Sequence, residues 1–173
     1  MTELTLRPAV QADVRALTEL ARASFVDAFG HLYSTSDLAG FLSEAKSEAA
    51  TAALVADPHG AMQVATRGGE PIAFCKIGYK CGWPDHARGD RPMEPKQLYA
   101  AASATGSGVG SALMDWALAA FADVGADEVQ LSVGSGNHGA QRFYMRYGFE
   151  KVADVTFKVG EQIDAEFLYA KLL

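Results

Sequence analysis

The amino-acid sequence predicts a mixed α/β fold, a sheet of about seven strands with helices on both faces. Three observations carry that expectation. Stretches with the two-residue alternation of strands trade places with stretches of helical spacing, in the order β-α-α-β-β-β-α-β-α-β-β. The breaks between them fall on turn and stop residues, among them Pro58, Gly68-Gly69, Gly125 and Gly148. The composition is 49% hydrophobic and 21% charged over 173 residues, enough for one well-buried domain spanning 1–173 and short for two.

Each element follows from local pattern. Residues 4–8, "LTLRP", alternate as a short strand. From Asp13 onward, Val14, Leu17, Ala21, Phe25 and Ala28 fall on one helical face; Asp13 complements the helix dipole at the start and Gly30 offers a stop. Residues 34–58 carry Ser34 or Ser36 as an N-cap, a break near Lys46 and Pro58 as terminator. This region is less hydrophobic and reads as a surface or rim element. "AMQVATR" (61–67) and "PIAFCKIGYK" (71–80) are two strands joined by a tight turn at Gly68-Gly69-Glu70. Residues 81–95, rich in Pro, Gly and charge, read as a loop, and "KQLYAAA" (96–102) as a strand leading into a glycine stretch. Val109, Leu113, Trp116, Ala117, Ala120, Phe121 and Val124 then form one helical stripe ending at Gly125. "EVQLSV" (128–133) is a strand, 138–147 a short helix that Gly148 stops in the left-handed region, and the tail supplies two more strands.

Charge and cysteine usage narrow the function. A net charge of −6 and a pI near 5.1 argue against nucleic acid, whose phosphates demand a basic surface, and suit a cationic substrate such as an amine. Cys75 and Cys81 match no zinc or redox spacing, so no metal is expected, and Cys75, in an apolar run, reads as a buried thiol. With no basic-plus-apolar leader and no run long enough to span a bilayer, the expectation is a cytoplasmic chain without a membrane partner.

Residues 104–114 read "ATGSGVGSALM". A strand that turns through glycines into a helix leaves the first helical N–H groups unpaired, and glycine lets an anion approach them. A plain strand-to-helix turn explains the isolated motif equally well. A P-loop is excluded because Ser-Ala, not Lys-Ser/Thr, follows Gly110. A dinucleotide fingerprint is excluded by the spacing and by the three strands that come first.

A third pattern fits. The stretch Thr105-Gly106-Ser107-Gly108-Val109-Gly110 resembles the Gln/Arg-x-x-Gly-x-Gly/Ala cofactor motif of the GNAT superfamily of N-acetyltransferases. The upstream "LYAAAS" and the downstream Asn137, Ala140, Phe143-Tyr144, Arg146 and Gly148-Phe149 stand at the family's intervals, and the outline of the chain fits from end to end. The resemblance implies a mostly antiparallel sheet of about seven strands with four or five helices. It implies acetyl-CoA as co-substrate and a primary amine as acceptor. The pyrophosphate would then lie on the backbone of Thr105, Gly106, Ser107, Gly108, Val109, Gly110 and Ser111. The N–H groups of Tyr99, Ala100 and Ala101 would polarise the thioester carbonyl. Asn137 would hold the pantetheine arm or simply cap the following helix, and Tyr144 would be the general acid or a packing residue. Glu94 would be the base, acting through water, or a solvated carboxylate; Asp85, His86 and His31 are further candidates. Thr105 departs from the family's Gln or Arg. One charge-assisted hydrogen bond is thereby lost, about 1.5–3 kcal/mol, so weaker coenzyme A binding is expected, offset by Ser103, Ser107 or Ser111.

Residues 24–42 and 156–173 resemble bacterial spermine/spermidine acetyltransferases, and Asp27, Asp37, Glu44 and Glu48 supply charge that suits a polyamine or other small amine. Two other readings stay open: an acyl-CoA-binding sensor with little catalysis, and a protein N-terminal acetyltransferase of the ribosomal-protein type. Family members commonly pair through sheet edges or C-terminal strands, which opens a homodimer to this chain.

Overall fold

A computed structural model describes residues 2–173. Its strands are β1 (Leu4–Pro8), β2 (Gly60–Arg67), β3 (Glu70–Gly78), β4 (Pro92–Ala100), β5 (Glu128–Gly134), β6 (Glu150–Val159) and β7 (Gln162–Leu172). The helices are α1 (Val14–Phe29), α2 (Thr35–Ala45), α3 (Glu48–Ala56), α4 (Val109–Asp123) and α5 (His138–Arg146). The strands form one sheet in the order β1-β2-β3-β4-β5-β7-β6, antiparallel at every pair except β4–β5. This is the mixed α/β architecture that the periodicity predicts.

Local chemistry sets the boundaries. Gly68 and Gly69 both take positive φ, 61° and 86°, which is what a two-residue hairpin turn with the twist of its strands requires. Ser34 and Ser47 accept the backbone N–H of Asp37 and Ala50, so the predicted break near Lys46 is a real one between two capped helices. Asp13 accepts the Val10 N–H at 2.9 Å and both terminal nitrogens of Arg7 at 2.7 and 2.8 Å. These bonds tie the first strand to the first helix and hold the Asp13 carboxyl below the usual carboxylate range, Arg7 being the largest cause. Gly30 is not a left-handed stop: its φ is −55°, and the chain tightens into a 3₁₀ turn over Gly30–Leu32.

Alternation along the sheet divides the core. Phe74, Met62 and Val64 pack with Leu17 and Ala21 beneath α1. Cys75, Ile77, Val129 and Leu131 pack with Leu113, Ala117 and Phe121 of α4 on the other face. Cys75 is fully buried, and burial pushes its thiol up to about 12.

Two boundaries differ from the sequence reading. β4 begins at Pro92, inside the expected loop, because its first residues pair with Gly78 and Ile77 on one side and with Glu128 and Val129 on the other. β4 also ends at Ala100, and a 3₁₀ turn over Ala102–Ala104 intervenes before the glycines. Within β4 the register slips so that Lys76 faces Gln97 while Ile77 faces Pro95, leaving Lys96 as one extra residue, a bulge beside a proline that has no N–H to donate.

That bulge and the preceding segment shape the sheet's central feature. β4 and β5 pair only at Pro92–Glu128 and Met93–Val129, then diverge. Asp127 accepts the N–H groups of Asp90 and Arg91, both at 2.8 Å. Glu128, fully buried, accepts those of Arg88 and Gly89 at 2.7 and 2.9 Å. These bonds pin the two strands together at one end. Beyond the bulge nothing closes the other.

Candidate active site

The divergence opens a cleft of about 730 Å³ walled by β4 (Pro95–Tyr99), β5 (Leu131–Gly134), the start of α5 and the end of α1. A gap between parallel strands exposes every second N–H and C=O of each wall. Which ones face it is fixed by β3. The Ala101 N–H donates to the Ile72 carbonyl at 2.8 Å, and the register Phe74–Tyr99 lies two residues on in the same phase. In an antiparallel ladder this commits the N–H groups of Ala101 and Tyr99 to β3 and turns those of Leu98 and Ala100 toward the gap. Of the three predicted carbonyl-polarising amides, only that of Ala100 turns toward the gap; those of Tyr99 and Ala101 turn to β3, and the N–H of Leu98 also faces the gap. Sequence alone does not give this parity, since it depends on the partner strand. The Ala100 carbonyl is held from α1 by the Ser24 hydroxyl at 3.0 Å.

Beyond the end of β4, beside α5, lies the glycine loop. Gly106 and Gly108 have φ of 73° and 84°, and a Cβ on either would meet open space, so what their conformation requires is glycine's freedom rather than room. The N–H groups of Gly106, Gly108, Val109, Gly110 and Ser111 have no partner among the described residues. Those of Thr105 and Ser107 do make turn bonds, at 3.4 Å to Ala102 and 3.3 Å to Ala104, so these two are not free as the motif suggests. The hydroxyls of both also donate inward, Thr105 to the Ala102 carbonyl at 2.7 Å and Ser107 to that of Ala104, which removes Ser107 as a ready substitute for the missing Gln or Arg. The ring of Phe143 packs on Gly110.

On α5, Asn137 accepts the Ala140 N–H at 3.2 Å, so it is the helix cap; it lines the cleft as well. Tyr144 lies on the cleft wall, edge-on to Phe143 and Phe149. Burial, and then its neighbours Cys75 and Tyr99, push its phenol well above the usual range.

Glu94 lies within β4, paired with Gly78, on the face of Lys76 and Phe74. Burial raises its carboxyl, against the lowering effects of Lys96 and the Gly82 backbone. It does not line the cleft, and neither do Asp85 and His86, which sit in a 3₁₀ turn over Pro84–His86; His31 does. The carboxylates that reach the cleft are Asp164 and Glu166 of β7, which sequence reading passed over. Their signal is an inverted alternation: acidic Asp164 and Glu166 are half-buried while Ile163 between the polar positions is 65% exposed. Burial is the main cause that raises the Glu166 carboxyl; Asp164 adds to it, and the Ser132 hydroxyl opposes it.

The far end of the cleft is fastened. The Tyr33 phenol donates to Asp164, and its ring stacks on Phe25 at 6.0 Å. Asp37 of α2 accepts the Glu161 N–H at 3.2 Å and presses on Gly160, so the β6–β7 turn is clasped to the start of α2. Among the described residues no group of three or more His, Cys, Asp or Glu side chains is placed to hold a metal ion, and no helix is long and apolar enough to cross a membrane.

The sheet is thus split between β4 and β5, with free amides along the split and a glycine loop following β4. The chain belongs to the GNAT family of acetyltransferases, whose model matches residues 15–149. It is therefore an acetyl-CoA-dependent N-acetyltransferase in class. An uncharacterized N-acetyltransferase of Mycobacterium tuberculosis is 30% identical over 162 residues, 93% of this chain and 98% of that one. Among solved structures, the PaiA N-acetyltransferase of Thermoplasma acidophilum, in complex with coenzyme A, superposes with a TM-score of 0.80 at 18% identity over 99% of both chains. A ribosomal-protein-alanine N-acetyltransferase of Brucella melitensis gives 0.67 at 17% identity over 98% of this chain and 99% of that one.

Proposed function

We propose that the protein transfers the acetyl group of acetyl-CoA to the primary amine of a small molecule. One observation carries this reading: the row of unpaired backbone N–H groups, at Gly106 and Gly108–Ser111 for a diphosphate and at Leu98 and Ala100 for a thioester oxygen. Five donors at a helix start suit an anion, and two donors on a strand facing a gap suit an extended amide-bearing arm and the carbonyl at its tip. Asn137 keeps its side-chain NH₂ available to that arm while its oxygen caps α5. Tyr144, held protonated by burial and lining the cleft, is the proton donor to the departing sulfur. Glu166 takes the proton of the incoming ammonium from the cleft wall, the role that Glu94, outside the cleft, is not placed to fill.

The small-molecule assignment draws on the clasp between α2 and the β6–β7 turn, which crosses the end of the cleft where a peptide would have to leave. A polyamine acceptor has the support of the 24–42 and 156–173 outlines and of the inward Asp164 and Glu166. The test is calorimetry with acetyl-CoA followed by thiol release over an amine panel that includes spermidine. Binding without release would mark a sensor instead. Tyr144→Phe is expected to bind acetyl-CoA normally and turn over at least tenfold slower, as loss of a general acid implies (about 10²–10⁴); equal rates would remove Tyr144 from the mechanism.

A further inference from the structure

Two lysines are buried, and they differ in one respect. Lys76 donates to the Leu54 carbonyl at 2.8 Å and pairs with Asp57 at 3.1 Å, so its charge is answered. Lys46, 6% exposed at the end of α2, has neither a hydrogen bond from its ammonium nor an ion pair among the described residues. Its Nζ lies 4.8 Å from the centre of the Tyr99 ring and 5.8 Å from that of Phe41. Aromatic faces attract a cation but do not replace a lost hydration shell or a counter-ion. Burial accordingly lowers the Lys46 ammonium to about 8, with no carboxylate offsetting it. The other cation nearby, Arg22, is committed to the carbonyls of Leu42 and Lys46 itself.

The position of this unanswered charge is informative. Tyr99 is a wall of the cleft, and Phe41 packs on two other wall residues, Phe25 at 4.6 Å and Phe157 at 5.8 Å. Tyr99 also feels Glu166: its phenol is pushed up to about 12, first by burial and then by the Glu166 charge. A cation and an anion are thus gathered about one ring of the cleft wall, Glu166 lining the cleft and Lys46 lying beside Tyr99 outside that lining. A molecule carrying opposite charges in complementary places would satisfy both.

We propose that Lys46 binds a carboxylate carried by the acceptor, so that the substrate is an amino acid or a similarly built amino-carboxylate whose amine faces Glu166. The inference rests on the acetyl-transfer reading above and makes its acceptor more specific. A polyamine brings no anion for Lys46 and adds a second cation beside it. The alternative, that Lys46 is merely an ill-solvated structural lysine, leaves the substrate's carboxylate without effect.

Matched acceptors that differ by a carboxylate decide between these: L-phenylalanine with phenethylamine, and γ-aminobutyrate with propylamine, alongside spermidine. In at least one pair the acid is expected to be used roughly tenfold better in kcat/KM, the advantage residing in KM as it does for a charge-assisted contact. Lys46→Met is expected to abolish that advantage and Lys46→Arg to keep most of it. Equal use of both members, a preference for spermidine, or an advantage that survives in Lys46→Met overturns the proposal. A readout without catalysis guards against a variant that fails to fold: in wild-type protein labelled with ¹³Cε-lysine, the Lys46 titration moves to higher pH when the preferred acid is added and stays put with its decarboxylated partner. No movement with either acid overturns the proposal as well. Absence of thiol release with every amine would instead sink the acetyl-transfer reading, while the labelled-lysine titration still reports whether a carboxylate binds.

Discussion

At Thr105 a family position for a long polar side chain is held by a hydroxyl that turns inward to Ala102. Thr105→Arg is expected to restore a charge-assisted bond to a bound diphosphate and to tighten acetyl-CoA by about tenfold or more, measured by calorimetry. Glu166 gives a second test, through pH. Its carboxyl is raised by burial, and a base must be ionised to work, so activity should fall as pH drops through that raised value rather than near the ordinary value of about 4.3. Glu166→Gln should lower the rate and remove that acidic limb from the profile. The sign for stability is opposite. A carboxyl with a raised folded-state pKa binds protons more readily folded than unfolded, so its contribution is lost as pH rises through the raised value. Glu166→Gln should therefore melt higher than wild type at neutral pH, which differential scanning calorimetry would show, a trade of stability for function.

The elements that sequence made legible are those whose signal is local. Gly68-Gly69, Ser34 and Gly148 act within one turn of themselves, and the strands and helices around them lie where their periodicity puts them. What was hidden depends on partners distant in the chain. Pro92–Pro95 look like a loop until Ile77, Gly78, Glu128 and Val129 are brought alongside. The facing of Leu98 and Ala100 depends on Ile72, and the place of Glu166 depends on a hairpin folded back onto Ser132 and Tyr33. In sequence Lys46 marks a helix break and not a buried charge, because Tyr99 and Phe41, distant in the chain, come to lie against it. The clasp can be tested as an element. Gly160 has φ of 57°, and a Cβ there would collide with the Asp37 carboxylate. Gly160→Ala should cost about 1–2 kcal/mol in denaturant unfolding. It should also raise the acceptor KM while the KM for acetyl-CoA stays at the wild-type value.

Over the whole molecule, two half-sheets, β1–β4 and β5–β7–β6, are joined by a two-residue pairing and by the Asp127 and Glu128 bonds. Anything that binds along the split ties the halves together and stabilises the native state by mass action, about 2.7 kcal/mol at a concentration one hundred times Kd. For a chain of this size that is a rise in Tm of roughly 5–10 °C, which a thermal scan with acetyl-CoA, and with adenosine as the control lacking diphosphate and thioester, would reveal. No shift at millimolar acetyl-CoA would mean that the native state does not bind it. The two-residue seam carries a further consequence for the protein's life in a cell. Without a thioester along the seam the halves are expected to part more often, so limited proteolysis should cut the protein faster alone than in saturating acetyl-CoA.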